Sequence, residues 1–502
     1  MAVYFSALPG GNRNTNGSFN NLGTNGNWWS STENSSTNAW NRNMNHNNGN
    51  VNRNNNNKTN GFSLRCVRDL KCKGIFQSAC RLGCDFAPQA AAPNKNSFNM
   101  QLDLFDIPAK ESRNYLLTDL FAAYYLARKN KRNTINQLRF ELDHEHHLLD
   151  LYDEIVQRRY RPKKGICFMV HKPVKREIFA ADFRDRVIHH LIYNYIAPLF
   201  EKSFINDSYS CRKGKGTHYA IKRMDHFIRS CSDNYSTDCY ILKLDIKGYF
   251  MSMDKKLLFE TVKSRLFKHK NALDFDLPMV MYLLEQIIFN DPVNNCFVKG
   301  KRSDWQGLPK SKSLFHAPPG KGLPIGNLTS QLFGNVYLNV FDHYIKRELG
   351  IRYYGRYVDD FVLIHHDKHF LMGLIPEIAD FLSGQLQLQL HPGKIYLQHY
   401  SKGLPYLGSV IKPHRIYVAR RIKGNLYQAI EKHNAIARDH KPTADEQAAF
   451  ISSMNSYLGI MKHYKTYKMR KGLVFKNLSA WWWNIIRAAG YKLVFRRRLL
   501  AT

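Results

Sequence analysis

Two apolar stretches of this 502-residue chain end on carboxylates, and any fold it adopts must decide whether those carboxylates meet. The first is Tyr240-Ile-Leu-Lys-Leu-Asp245. The second is a pair of runs, Ile351 to Tyr357 and Phe361 to His365, that bracket Asp359-Asp360 more than a hundred positions later. Short runs rich in β-branched and aromatic residues, interrupted by a charged pair, read as strands meeting at a tight turn. If adjacent strands of one sheet carry them, Asp245 and the Asp359-Asp360 pair share one end of that sheet. A lone Asp-Asp is weak evidence, since such pairs sit in ordinary solvated turns, but apolar strands on both sides make this one informative.

Three gathered carboxylates suit phosphoryl transfer. That chemistry needs two divalent cations about 4 Å apart to activate the attacking oxygen and stabilise the leaving one. Mg²⁺ keeps most of its coordination sites for water and substrate phosphates, so two or three Asp residues suffice, with Mn²⁺ as an alternative ion.

Charge points to the same class of partner. The chain has 74 Lys plus Arg against 40 Asp plus Glu, a formal net charge of +34, which far exceeds what solubility requires and fits a polyanionic ligand. A ribosomal-type or membrane-surface protein would also fit the composition, and only motifs separate these classes. No stretch approaches about 18 uncharged apolar residues and no signal-like N-terminus precedes one, so the expectation is a soluble cytoplasmic chain without a membrane partner. Cys66, Cys72, Cys80 and Cys84 cluster but lack the paired spacing of a zinc site.

Residues 1 to 60 contain 21 Asn and one acidic residue, Glu33, with almost no aliphatic periodicity. Such composition predicts disorder. Ala87 to Asn99 reads as a linker. Helical spacing of apolar residues follows from Asn114 to Tyr160 and from Arg186 to Phe200, with a β-rich basic segment at Phe168 to Phe179. His144-Glu145-His146-His147 reads as a solvated helix face. The tail from Arg415 onward is basic and aromatic, and its Trp481-Trp482-Trp483 run suits either nucleic-acid contact or core packing.

Lys243-Leu-Asp-Ile-Lys-Gly-Tyr-Phe250 and Tyr357-Val-Asp-Asp360 resemble the first and third palm motifs of reverse transcriptases, and the resemblance extends over most of the chain beyond residue 100. It implies that Asp245, Asp359 and Asp360 are the catalytic, metal-holding residues. Lys172-Pro-Val-Lys-Arg-Glu-Ile178 is similar to the fingers segment that holds the incoming triphosphate, with Lys175 and Arg176 the matching cations. Cys211-Arg-Lys-Gly-Lys-Gly-Thr217 is similar to the next fingers motif, which implies template contacts for Arg212, Lys213 and Lys215. A solvated basic loop is the competing reading for each. Phe250 matches the steric gate that excludes a ribose 2′-hydroxyl, or is an ordinary core ring. Pro392-Gly-Lys394 resembles the fourth palm motif, which implies that Lys394 protonates pyrophosphate, against a surface Lys after a turn. Gly403-Leu-Pro-Tyr-Leu-Gly408 resembles the primer grip, with Gly408 near the primer end.

Gly322-Leu-Pro-Ile-Gly-Asn-Leu-Thr-Ser-Gln331 resembles the second palm motif of the reverse transcriptases of diversity-generating retroelements. In these, a branched apolar residue, here Ile325, replaces the Gln that precedes Gly326 in intron and retroviral enzymes, and Ser-Gln331 replaces Ser-Pro. Trp28-Trp-Ser-Ser-Thr-Glu33, Ala39-Trp40 and Gly61-Phe-Ser-Leu-Arg-Cys-Val-Arg-Asp69 resemble the end of the C-type-lectin-like proteins that such elements diversify. Residues 1 to 69 therefore read as a translated template repeat. Its Asn codons begin with two adenines and end in a pyrimidine, so changing those adenines never creates a stop codon. A working protein module and an RNA-binding arm are the other readings of this segment.

The resemblance implies an α+β, right-hand polymerase: fingers at 101–235, palm at 236–258 and 320–412 with an insertion at 259–319, and a helical thumb at 413–502. A disordered Asn-rich segment at 1–69 and a linker at 70–100 precede them. The expected reaction copies a template-repeat RNA into adenine-mutagenised cDNA. Expected partners are template RNA, cDNA, deoxynucleoside triphosphates, two Mg²⁺ ions and a small basic oligomeric accessory variability protein. The alternatives are a group II intron or retron polymerase and a catalytically idle RNA-binding scaffold.

Overall fold

The computed structural model describes residues 10–14, 16, 18–22, 25–45, 51–60, 115–129, 134–171 and 174–496. The chain divides into two compact units, residues 1–111 and 112–502. The linker expected at 70–100 lies outside the described residues.

The first unit corrects the expectation of a disordered N-terminus. Strands β1 (Gly10–Arg13), β2 (Phe19–Leu22), β3 (Asn25–Glu33), β4 (Asn38–Asn45) and β5 (Val51–Asn57) form one sheet in the order β2-β1-β3-β4-β5. Low apolar content misleads because cross-strand amides do the pairing. Asn43 Nδ2 donates to Asn27 Oδ1 at 2.7 Å and Asn56 Nδ2 to Asn41 Oδ1 at 2.9 Å, while the Arg53 guanidinium lies 4.0 Å from the Trp40 ring centre. Asn ladders of this kind stabilise sheets without an aliphatic core.

The second unit is α+β. Helices α1 (Leu116–Arg128), α2 (Ile135–Leu142) and α3 (His144–Val156) pack beside α4 (Phe183–Glu201), whose Phe183, Val187, Ile188, Leu191, Ile192 and Ile196 are fully buried. Asp182 caps α4 by accepting from the Arg184 N–H. Between them, β6 (Gly165–Val170) pairs antiparallel with β7 (Arg176–Ala180) and parallel with β9 (Cys296–Lys299).

Helix α5 (Thr217–Cys231) leads to β8 (Tyr240–Asp245), then α6 (Lys255–Lys268), α7 (Leu277–Ile288) and α8 (Leu328–Tyr337). Strands β10 (Tyr353–Tyr357) and β11 (Asp360–His365) form a hairpin, followed by α9 (Lys368–Leu386) and β12 (Tyr396–His399). The central sheet has the order β10-β11-β8-β12. Its alternation assigns Leu242, Leu244, Phe361 and Leu363 to one core with α4 and α8. Ile241, Val362 and Ile364 face α5 instead, against Ile221, Met224 and Phe227. Both faces are covered, which is why these strands read as continuous apolar runs.

β13 (Leu404–Tyr406), β14 (Ser409–Lys412) and β15 (Arg415–Val418) form a separate three-stranded sheet. Beyond it α10 (Arg420–Asp439), α11 (Ala444–Met461) and α12 (Tyr467–Asn477) enclose their own core. This end is helical except for β15 and a terminal hairpin of β16 (Ile486–Ala489) and β17 (Leu493–Arg496). Trp482 is fully buried and stacks on Phe450 at 3.9 Å, so that member of the Trp run serves core packing. Among the described residues no helix is long and apolar enough to cross a membrane.

Candidate active site

The register of the central sheet answers the question posed by the sequence. β8 and β11 run antiparallel with Asp245 directly opposite Asp360, and Tyr357 pairs with Asp360 to close the β10–β11 hairpin over Val358 and Asp359. All three carboxylates therefore meet at one sheet end. Val358 has φ of 60°, a left-handed conformation that a β-branched residue adopts only under constraint.

That constraint is a residue the sequence reading missed. Arg356 is fully buried; its Nη1 donates to the Val358 carbonyl at 2.8 Å, while Nε and Nη2 reach Asp342 at 2.7 and 2.6 Å. Tyr354 OH also donates to Asp342, at 2.7 Å. The available signal was an Arg in strand alternation with Tyr354, where an apolar side chain would otherwise face the core.

Burial together with the neighbouring Asp245 charge pushes the Asp359 carboxyl up to about 6. Asp360 is also raised by burial, against the lowering effect of Lys243, whose Nζ lies 3.0 Å from Oδ2. Asp360 Oδ1 is buried without a hydrogen-bond partner. Lys394 Nζ donates to both oxygens of Asp245 at 2.9 Å, held there by a loop in which His391 N–H bonds the Asp245 carbonyl. The sheet end thus gathers two carboxyls raised by burial, a buried acceptor and two ammonium groups, Lys243 and Lys394, drawn onto the carboxylates. Among the described residues no group of three or more His, Cys, Asp or Glu is placed to hold a metal ion. The donor set fits hard ions that take their remaining oxygens from substrate.

A second set of residues converges on the same end. Phe250 packs in one apolar cluster with Phe179, Met251, Leu314 and Ile325, and its ring meets α8 where a Cβ on Gly334 would stand 3.4 Å away. The Leu323 N–H bonds the Phe250 carbonyl at 2.8 Å, and the Phe179 N–H bonds the Ile325 carbonyl at 2.9 Å. Gly326 has φ of 138° and a Cβ there would sit 2.8 Å from the Phe179 carbonyl oxygen, so this strand-to-loop contact requires glycine. Gln331 is exposed on α8.

Arg176 is exposed at the start of β7, and burial raises the Tyr357 phenol beside the carboxylates with the Arg176 charge opposing that rise. Lys175 Nζ donates to the Gln306 carbonyl at 2.6 Å. Between them in consequence is Glu177, also unforeseen: its buried carboxylate accepts from Trp305 Nε1 at 2.7 Å, Ser313 Oγ at 2.8 Å and Leu314 N at 2.6 Å. It fastens residues 302–316 to β7.

In the basic loop expected to meet the template, two of the three cations have partners within the protein. Arg212 is engaged internally, by Glu201 at 2.8 Å and the carbonyls of Ile205 and Ser208 at 2.7 and 3.0 Å. Lys215 likewise bonds Asn206, while Lys213 is exposed. Gly408 occupies the β13–β14 turn at φ 85°, and Lys243 Nζ reaches Pro405 of the same hairpin at 3.4 Å.

Residues 162–411 match the family described as reverse transcriptase (RNA-dependent DNA polymerase), and residues 1–68 match the Fibrobacter succinogenes major domain. The chain is 24% identical over 292 residues to Protein YkfC of Escherichia coli (strain K12), covering 51% of this chain and 69% of that protein. It is 18% identical to nuclear intron maturase 1, mitochondrial, of Arabidopsis thaliana, covering 48% of this chain and 42% of the maturase. Among solved structures, apo telomerase from Candida tropicalis truncated from its C-terminal domain shares 14% identity at a TM-score of 0.37, covering 51% of this chain and 54% of the telomerase. The chain thus spans less than two thirds of the maturase and of that telomerase.

Proposed function

We propose that this member of the reverse-transcriptase superfamily, whose reverse-transcriptase domain spans residues 162–411, extends a DNA primer on RNA within a diversity-generating retroelement. The observation that carries the polymerase reading is the facing pair Asp245 and Asp360 with Asp359 on the adjoining turn. These three would hold two Mg²⁺ ions, which when bound activate the primer 3′-oxygen and neutralise charge on the leaving pyrophosphate.

In this reading the central sheet is the palm, α1–α5 with β6, β7 and β9 the fingers, and α10–α12 the thumb. Arg176 and Lys175 pair with the triphosphate, Phe250 stands beneath the sugar, and Lys394 moves from Asp245 to protonate pyrophosphate. Lys213 and the Gly408 turn border the template and primer. Substrates are template RNA and deoxynucleoside triphosphates, and the product is cDNA.

The finer assignment rests on Ile325 and Gln331 in the loop and first turn of α8. Residues 1–68 match a different family from residues 162–411, in keeping with residues 1–69 being translated template repeat from a diversified gene. A small basic accessory protein would complete the assembly. The likeness to an intron maturase favours a second reading, an intron-type reverse transcriptase.

One assay addresses both levels: primer extension on an RNA template rich in adenine, with the cDNA sequenced. Asp359→Asn and Asp245→Asn should each abolish extension while RNA binding persists, because the basic surface that supplies affinity remains. Extension by Asp359→Asn would defeat the polymerase site, and faithful copying of adenine by the unaltered enzyme would favour the intron-type reading.

A further inference from the structure

A second basic site opens away from the carboxylates, where α5, the β14–β15 turn and the α11–α12 junction meet around a cleft of ≈ 560 Å³. That volume lies within the roughly 300–1,000 Å³ typical of ligand sites. Lys222, Arg229, Arg415 and Lys465 line it against one carboxylate, Asp225. Five rings, with Ile221, Ile416 and Asn234, form the rest of the wall. His218 and His463 lie 3.8 Å apart between ring centres, with Tyr464 6.2 Å from His218, and Tyr235 is braced edge-on by His414 at 4.7 Å.

The position separates this cleft from the catalytic end. Tyr235 lies in the loop that enters β8 at Tyr240, whereas Asp245 ends that strand. At roughly 3.3 Å per residue the two strand ends are about 17 Å apart.

Cations on three segments match successive phosphates, and concave rings match an unstacked base. A free anion would leave the rings unused, and a duplex keeps its bases stacked on one another. We propose that this cleft binds a single-stranded polynucleotide, with phosphates on Lys222, Arg229, Arg415 and Lys465 and a base against Tyr464 and His218. Because the cleft joins α5 to the α11–α12 junction, the bound strand ties the C-terminal helical cluster to the central sheet. The proposal rests on the polymerase reading only for the source of that strand.

The test uses the full chain with its catalytic cleft saturated by unlabelled primer–template duplex. Fluorescein-labelled ten-nucleotide oligouridylate and oligothymidylate are titrated in separate arms, followed by anisotropy, and primer extension is assayed on the same preparation. At least one oligomer should bind despite the duplex; tighter oligouridylate identifies an RNA flank as the source, and tighter oligothymidylate the DNA product. The Lys222→Glu/Lys465→Glu variant, altered at two exposed positions, should weaken the oligomer about tenfold and flatten its salt dependence by roughly 0.7 per lost phosphate contact. Tyr464→Leu should also weaken it, with Tyr464→Phe restoring affinity. Complete displacement by duplex, unchanged oligomer affinity in both variants, or equal weakening of duplex and oligomer would each overturn the site. Absence of extension by the unaltered chain would instead count against the polymerase reading.

Discussion

Arg356 and Asp342 form an ion pair with both side chains 0% exposed, and the same guanidinium holds the Val358 carbonyl at the turn that carries Asp359. Removing one partner of such a pair leaves an uncompensated buried charge and costs roughly 3–5 kcal/mol. Arg356→Met should show that loss in chemical unfolding. The double variant Arg356→Met/Asp342→Leu should recover most stability yet remain deficient in primer extension, since nothing then fixes the Val358 turn. Full activity in the double variant would mean that the turn holds itself.

Glu177 makes a second prediction about positioning. Glu177→Gln keeps the shape but replaces one acceptor oxygen by an N–H₂ that faces the donors of Trp305, Ser313 and Leu314. A lost hydrogen bond to a charged group is worth about 1.5–3 kcal/mol. Residues 302–316 should become susceptible to limited proteolysis, and KM for the nucleotide should rise more than kcat falls. Unchanged cleavage rates there would show that the segment is held by its apolar contacts alone.

His189 predicts acid sensitivity. Burial pushes its imidazole down to about 3, with His190 and Arg186 adding to the effect, while Nδ1 lies 2.7 Å from Thr329 Oγ1. An unfolded chain takes up this proton near pH 6.5. Between about 6.5 and 3 the unfolded state therefore binds more protons, and stability falls as pH falls. Urea unfolding from pH 6.5 to 4.5 should show a shallower decline for His189→Asn than for the unaltered protein. Parallel slopes would assign the decline to other groups.

Ile325 bears on fidelity. Its carbonyl is pinned by the Phe179 N–H and its side chain joins the cluster that supports Phe250, so this position is held beside the proposed nucleotide site. A Gln would supply a polar contact that helps discriminate a correct pair, and about 1.4 kcal/mol of discrimination is tenfold in error frequency. Ile325→Gln should lower misincorporation, most at template adenine, when cDNA from both enzymes is sequenced on one template. Equal error frequencies at adenine would leave Ile325 a packing residue.

The sequence by itself determined the parts of this protein that depend on local pattern. The strands ending at Asp245 and beginning at Asp360 and the long helix after Asp182 follow from short apolar runs and helical spacing, both of which operate within a few residues. Long-range partners were not legible. Arg356 looks like a surface charge until Asp342, Ser208 and Val358 are brought around it, and Glu177 becomes an anchor only when residues 305–314 fold over β7. Composition misjudged the N-terminal unit for a related reason: a count of aliphatic residues cannot show that Asn41 and Asn56 will lie on neighbouring strands. A buried polar group is stable only with its partner in place, and which residue is the partner is decided by the register and packing of segments far apart in the chain.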